Sequence, residues 1–119
     1  MSDRTFQRGM TDTTPMGPLF LTLDSTDSTY SMEVNDHIII ATSSVADASA
    51  IITLPSLADA TGKFYFISAP TGAAGGDISI YEKETGAELT TYGDLDADDD
   101  HVMLFSDGTK WRIVLDGVA

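Results

Sequence analysis

Val102-Met103-Leu104-Phe105-Ser106-Asp107-Gly108-Thr109-Lys110-Trp111-Arg112-Ile113-Val114-Leu115 places two apolar runs either side of an Asp-Gly step. A two-residue hairpin needs positive φ at both central positions, which Asp tolerates and Gly favours. The stretch therefore predicts a terminal antiparallel hairpin, with strands over 101–106 and 109–115 and Asp107 and Gly108 at the turn. Trp111 supplies its largest apolar side chain and reads as a core or rim anchor.

The same texture runs back toward the N-terminus. Leu19-Phe20-Leu21-Thr22-Leu23 ends in a run of Asp, Ser and Thr. His37-Ile38-Ile39-Ile40-Ala41 is β-branched and bounded by turn residues, and Ala50-Ile51-Ile52-Thr53-Leu54 stops at Pro55. Lys63-Phe64-Tyr65-Phe66-Ile67 starts after Gly62, and Asp77-Ile78-Ser79-Ile80-Tyr81 alternates strictly, as a half-buried strand does. Glu88-Leu89-Thr90-Thr91-Tyr92 is a weaker candidate. Between two of these runs, Pro55 to Thr61 has room for one helical turn closed by Gly62. The pattern predicts an all-β domain over residues 19–119: a compact antiparallel β-sandwich or short β-barrel of about 7–8 strands.

Residues 1–18 differ. They show no strand or helix period and end in Pro15, Gly17 and Pro18. Apart from Met1, Phe6 and Met10 are the sizeable apolar side chains before that Pro/Gly cluster. Asp3, Arg4, Arg8 and Asp12 cancel, so the whole net charge of −13 falls on residues 19–119. The segment reads as an extended N-terminal arm ordered by contact with another subunit, with Arg4, Phe6, Arg8 and Met10 as its contact residues, or as a frayed terminus.

Composition narrows the function. With 6 Lys and Arg against 19 Asp and Glu, the chain lacks the cationic face that nucleic acid or anionic lipid requires. It has no cysteine, which removes disulfides, thiolate metal sites and Cys nucleophiles. Met1-Ser2-Asp3-Arg4-Thr5-Phe6 has no apolar core of a signal peptide, and Met1 reads as the start of a small complete gene product. His37 and His101 each open a strand run beside an aspartate, but no nucleophile-elbow pattern accompanies them. Gly72-Ala73-Ala74-Gly75-Gly76 lacks the Lys-Ser/Thr of a phosphate loop and reads as a connection. Asp94, Asp96 and Asp98 match the opening of an EF-hand loop, but Asp99 stands at its glycine position and Phe105 at its final Glu. The stretch Asp94–Asp100 reads as a solvated loop, with a weak hydrated Ca²⁺ or Mg²⁺ site as the alternative. The expectation is a protein with no enzymatic activity, no cofactor and no metal.

Taken as a set, Ile51-Ile52-Thr53-Leu54-Pro55, Gly62-Lys63-Phe64-Tyr65-Phe66-Ile67, Ile78-Ser79-Ile80 and the 102–114 hairpin resemble the small β-rich domains of tailed-bacteriophage virion proteins. Such domains occur in capsid decoration (cement) proteins, head fibres and tail fibres. The resemblance covers about residues 50–115 and leaves 1–49 uncovered. It implies a structural protein without catalytic residues, an oligomer, often a trimer, and a place in the virion. The leading expectation is a capsid decoration protein on the capsid surface, with the major capsid protein and its own copies as partners. A fibre or tail-associated domain in host attachment is the runner-up. A carbohydrate-binding β-module is the third reading, and the scarcity of aromatics free of strand runs weighs against it.

Overall fold

A computed structural model of the chain describes residues 17–44, 50–69, 78–89, 95 and 99–117. The arm residues Arg4, Phe6, Arg8 and Met10 lie outside this set, as do Gly72–Gly76, Asp94, Asp96 and Asp98. Eight strands form among the described residues: β1 Leu19–Leu23, β2 Thr29–Ser31, β3 Ile38–Ser43, β4 Ala50–Thr53, β5 Phe64–Ala69, β6 Ile78–Tyr81, β7 Asp100–Ser106 and β8 Trp111–Asp116. The all-β expectation holds. The segment after Pro55 makes a single turn, with Gly62 in the left-handed region at φ +76°.

The expected antiparallel pairing does not hold for most of the chain. Strands β1, β3, β5, β7 and β8 form one five-stranded sheet in that order, and β2, β4 and β6 form a three-stranded sheet. The chain alternates between the sheets from β1 to β6. Leu19 lies beside Ile39, and Ile39 beside Ile67, all parallel. Thr29 lies beside Ile51, and Ala50 beside Ile78, also parallel. The first six strands thus wind as a short coil of stacked two-strand laps, as in a β-helix. Parallel neighbours need a crossover rather than a tight turn. Here the crossover is a strand of the opposite sheet, which the short, turn-rich connections permit. The sheets do not close into a barrel.

Within the large sheet β7 alone runs against the other strands, antiparallel to both β5 and β8. Phe64 pairs with Phe105 and Ala69 with Asp100 across β5 and β7, and Ser106 pairs with Trp111 across β7 and β8, both antiparallel. This terminal hairpin agrees with the sequence reading, but its turn is longer than a two-residue one. Four residues, 107–110, separate the paired Ser106 and Trp111. Gly108 takes φ +93°, while Asp107 is not among the residues of positive φ. The Asp107 carboxylate instead accepts the Thr109 and Lys110 amides, each at 2.8 Å. That carboxylate, not a second left-handed residue, shapes the loop.

Both sheets point one side chain in two at a shared core. Ile39, Ala41, Tyr65, Ile67, Val102 and Leu104 come from the large sheet, and Ala50, Ile52, Ile78 and Ile80 from the small one. All are nearly or fully buried. Each Ile or Leu placed there contributes about 1.5–3 kcal/mol of transfer free energy. Tyr65 is the largest side chain buried to this degree. Its hydroxyl donates to the Val34 carbonyl at 2.7 Å, and Trp111 meets its ring edge-on with centroids 5.7 Å apart. The free edge of β6 is closed by single bridges from Ile78 to Leu95 and from Tyr81 to Glu88. The Glu88 bridge is what the weaker strand candidate becomes within the described residues.

Candidate functional site

In a strand, side chains that alternate with the buried set must point away from the core. On the large sheet this rule produces an apolar outer face. The pairings set its rows. Phe20, Ile40, Ser68 and His101 form one, and Ile38, Phe66, Met103 and Leu115 form the next. Phe64, Phe105 and Arg112 form a third. Phe20 is 75% exposed and Phe64 53%. A bulge between Met103 and Leu104 sets Val114 opposite no partner, and it too is exposed. At a strand spacing of ~4.8 Å and a rise of ~3.3 Å per residue, the three rows span about 19 Å across the strands and about 13 Å along them. Contiguous apolar surface of that size marks an interaction site more often than it arises by chance.

Cross-strand contacts order the face. Phe64 and Phe105, directly opposite, bring their rings to 5.2 Å, and the diagonal neighbours Phe66 and His101 to 5.7 Å. Such pairs hold aromatic side chains in place without burying them. A concavity of about 450 Å³ opens among His37, Ile38, Phe64, Tyr65, Phe66 and Met103. His37 forms one wall. Its ring stacks on Tyr65 with centroids 5.1 Å apart, and its Nδ1 donates to the Phe64 carbonyl at 2.9 Å. Because a carbonyl only accepts, the proton sits on Nδ1. His101 likewise donates from Nδ1 to the Asp99 carbonyl at 2.8 Å. Both histidines are thus held by backbone at strand ends.

The electrostatics of the face are unusual for this chain. No Asp or Glu occurs in the three rows, although acids outnumber bases by 19 to 6 overall. Acids stand at its borders instead. Asp107, in the hairpin loop, accepts from Arg112 Nε at 2.7 Å. The Lys110 and Thr109 amides and then Arg112 hold its carboxyl at about 2, below the ordinary carboxylate value. At the opposite border, Asp36 accepts from the Tyr30 hydroxyl at 2.6 Å and from the Glu33 amide at 2.8 Å. Burial, and then the Asp36 carboxylate, push the Tyr30 hydroxyl far above its usual range, so it stays a donor. A second concavity of about 350 Å³ lies there, lined by Gly17, Pro18, Leu19, Glu33, Asn35, Asp36 and Ile38.

Of the residues singled out in the sequence, Asp107 and Gly108 shape the hairpin that carries β8 onto this face. Trp111 is a core anchor packed on Tyr65. Asp99 and Asp100 sit at the start of β7, Asp99 at φ +65° and Asp100 buried against Ala69. Among the described residues no group of three or more metal-binding side chains converges. Sequence reasoning missed the face itself. The available signal was aromatic residues at the outward positions of Leu19–Leu23 and Phe64–Ala69, where a solvent-facing strand carries polar ones.

Comparison of the chain with protein-family models, with curated proteins and with solved structures found no match.

Proposed function

We propose that the protein is a structural virion protein of a tailed bacteriophage, a capsid decoration (cement) protein that binds the outer capsid surface as a homotrimer and stabilises the head. The observation that carries this reading is the acid-free apolar outer face on a chain of net charge −13. Like-charged bodies repel at long range, so any stable assembly needs close contacts where carboxylates are absent. A sheet that leaves Phe20, Ile38 and Phe64 uncovered has such a surface. The virion-protein resemblance supports the same reading. Its aromatic strand and its closing hairpin are β5, β7 and β8, which lie side by side in the sheet that bears the face. In this reading residues 1–18 are an arm that reaches a neighbouring subunit or the capsid shell.

The experiment adds the purified protein to capsids that lack it. The expected result is saturable binding, a raised capsid disruption temperature, and trimeric density at local three-fold positions in a particle map. Absence of binding, or monomeric density on the particle, overturns the reading. A fibre or tail-associated domain is the second reading. The parallel coil favours it, because stacked laps extend naturally along an axis. Labelling confined to a fibre or tail would select it.

A further inference from the structure

We propose that residues 4–10 of one copy lie extended across the apolar outer face of a neighbouring copy. Phe6 and Met10 then seat in the concavity between β3, β5 and β7, and Arg4 and Arg8 stand beside Glu33 and Asp36. This rests on the arm reading above and names its receiving surface.

Three observations carry it. First, positions 4, 6, 8 and 10 are Arg, Phe, Arg and Met. In an extended chain, alternate residues share one side, so this stretch presents cation and apolar group in turn to whatever it lies on. The receiving surface offers both partners next to each other. The larger concavity is walled by Ile38, Phe64, Phe66 and Met103. The smaller one shares Ile38 with it and is bordered by Glu33 and Asp36. Second, the dimensions agree. Phe6 and Met10 lie about 13 Å apart in an extended strand, and β3 and β7, two strand spacings apart, about 10 Å. Third, the sequence before β1 favours an extended link. The residue before a proline is pushed toward extended backbone, and both Thr14-Pro15 and Gly17-Pro18 occur where the segment joins β1. At ~3.3 Å per residue, such a link has the length to bring residues 4–10 to a neighbouring copy. A neighbour's face, free of carboxylates in its three rows, is the surface an approaching copy can meet.

The chain has no cysteine, so introduced thiols are its only ones. Phe6→Cys is made in one preparation, and Met103→Cys in a second, size-tagged one. The two are mixed and oxidised without capsids present. A mixed disulfide dimer is expected, in several-fold excess over that formed with Thr53→Cys, which lies on the other sheet. Ile38→Cys serves as a second receiving position should Met103→Cys disturb the sheet, as judged by circular dichroism. Equal cross-linking to both sheets, or none, overturns the proposal. So does an intrachain disulfide at monomer mass in the Phe6→Cys/Met103→Cys double variant, which would show each segment lying on its own face. Because no particle is present, failure here leaves capsid binding to be judged separately. A protein that decorates capsids without this cross-link retains the decoration reading and loses only this one.

Discussion

The two sheets share one core, yet their outward faces differ in kind. The three-stranded sheet turns out Thr29, Ile51 and Ser79 in one row and Ser31, Thr53 and Tyr81 in the next. Hydroxyls dominate, and Ser79 is itself buried with an interaction partner. The five-stranded sheet turns out Phe20, Ile38, Phe64, Phe66, Met103 and Leu115. Folding the isolated chain does not require the second pattern, because the inward residues of both sheets already fill the core. An outward phenylalanine gains its transfer free energy only when something covers it. The contrast therefore separates side chains that the core requires from side chains that the fold leaves uncovered.

That division is broken most directly on one strand. Ile67 faces in and its neighbour Phe66 faces out. Ile67→Ala should cost about 2–5 kcal/mol in urea unfolding, the range for a buried aliphatic truncation. Phe66→Ala should cost no more than about 1 kcal/mol when the protein is measured dilute and monomeric. Equal losses would show that the outer face belongs to the core.

Gly108→Val comes next. Gly108 has φ +93°, and an added Cβ would lie 3.4 Å from Thr61 Oγ1. A β-branched residue there should cost about 1–2 kcal/mol and lower the melting temperature. An unchanged Tm would remove the turn's role in holding β8 on the apolar face. Tyr65→Phe keeps the ring that backs the concavity but strands the Val34 carbonyl, and should cost about 1 kcal/mol. A neutral result would mean that water satisfies that carbonyl in full.

Phe20→Thr combined with Phe64→Thr should leave monomer stability within about 0.5 kcal/mol of the parent while abolishing self-association or capsid binding. Thr29→Lys with Ser31→Lys, on the other sheet, should leave both unchanged. Loss of assembly from the second pair and not the first would invert the comparison. The smallest effect concerns the border of the face. Asp107 titrates at about 2 in the folded protein, below the value near 3.9 of a free aspartate, so its ionised form stabilises the loop above about pH 4. That contribution fades as pH falls toward 2. In Asp107→Asn the acid limb of Tm against pH between these values should flatten; an unaltered limb would assign acid sensitivity to other carboxylates.

The Ile78, Ile80 alternation was legible in the sequence because polar residues separate the apolar ones, and His37–Ala41 and Lys63–Ile67 were legible as β-branched or aromatic runs bounded by turn residues. Strand positions followed from these runs, and the terminal reversal from the Asp107-Gly108 step between two of them. Thr29-Tyr30-Ser31 went unread because three residues between Asp24-Ser25-Thr26-Asp27-Ser28 and Met32-Glu33 have no period to detect. The pairing went unread for a deeper reason. Alternation states which side of a strand is buried and is silent on which strand lies beside it, so Leu19 beside Ile39 and Ile39 beside Ile67 look the same as an antiparallel meander. The face was half legible. Phe20 and Phe64 stand out as apolar residues at outward positions only once inward is known.

Local chemistry by itself thus determined that the chain is all-β, where most of its strands lie, that it ends in a hairpin, and that residues 19–119 carry the whole net charge of −13. These follow from side-chain size, branching and charge, which act residue by residue. Tertiary structure alone decided that the strands wind in parallel between two sheets. It also decided that residues as distant as Phe20, Phe66 and Leu115 share one uncovered surface. Neighbourhood across a sheet is set by how the whole chain shares its single core, and no local segment carries that information.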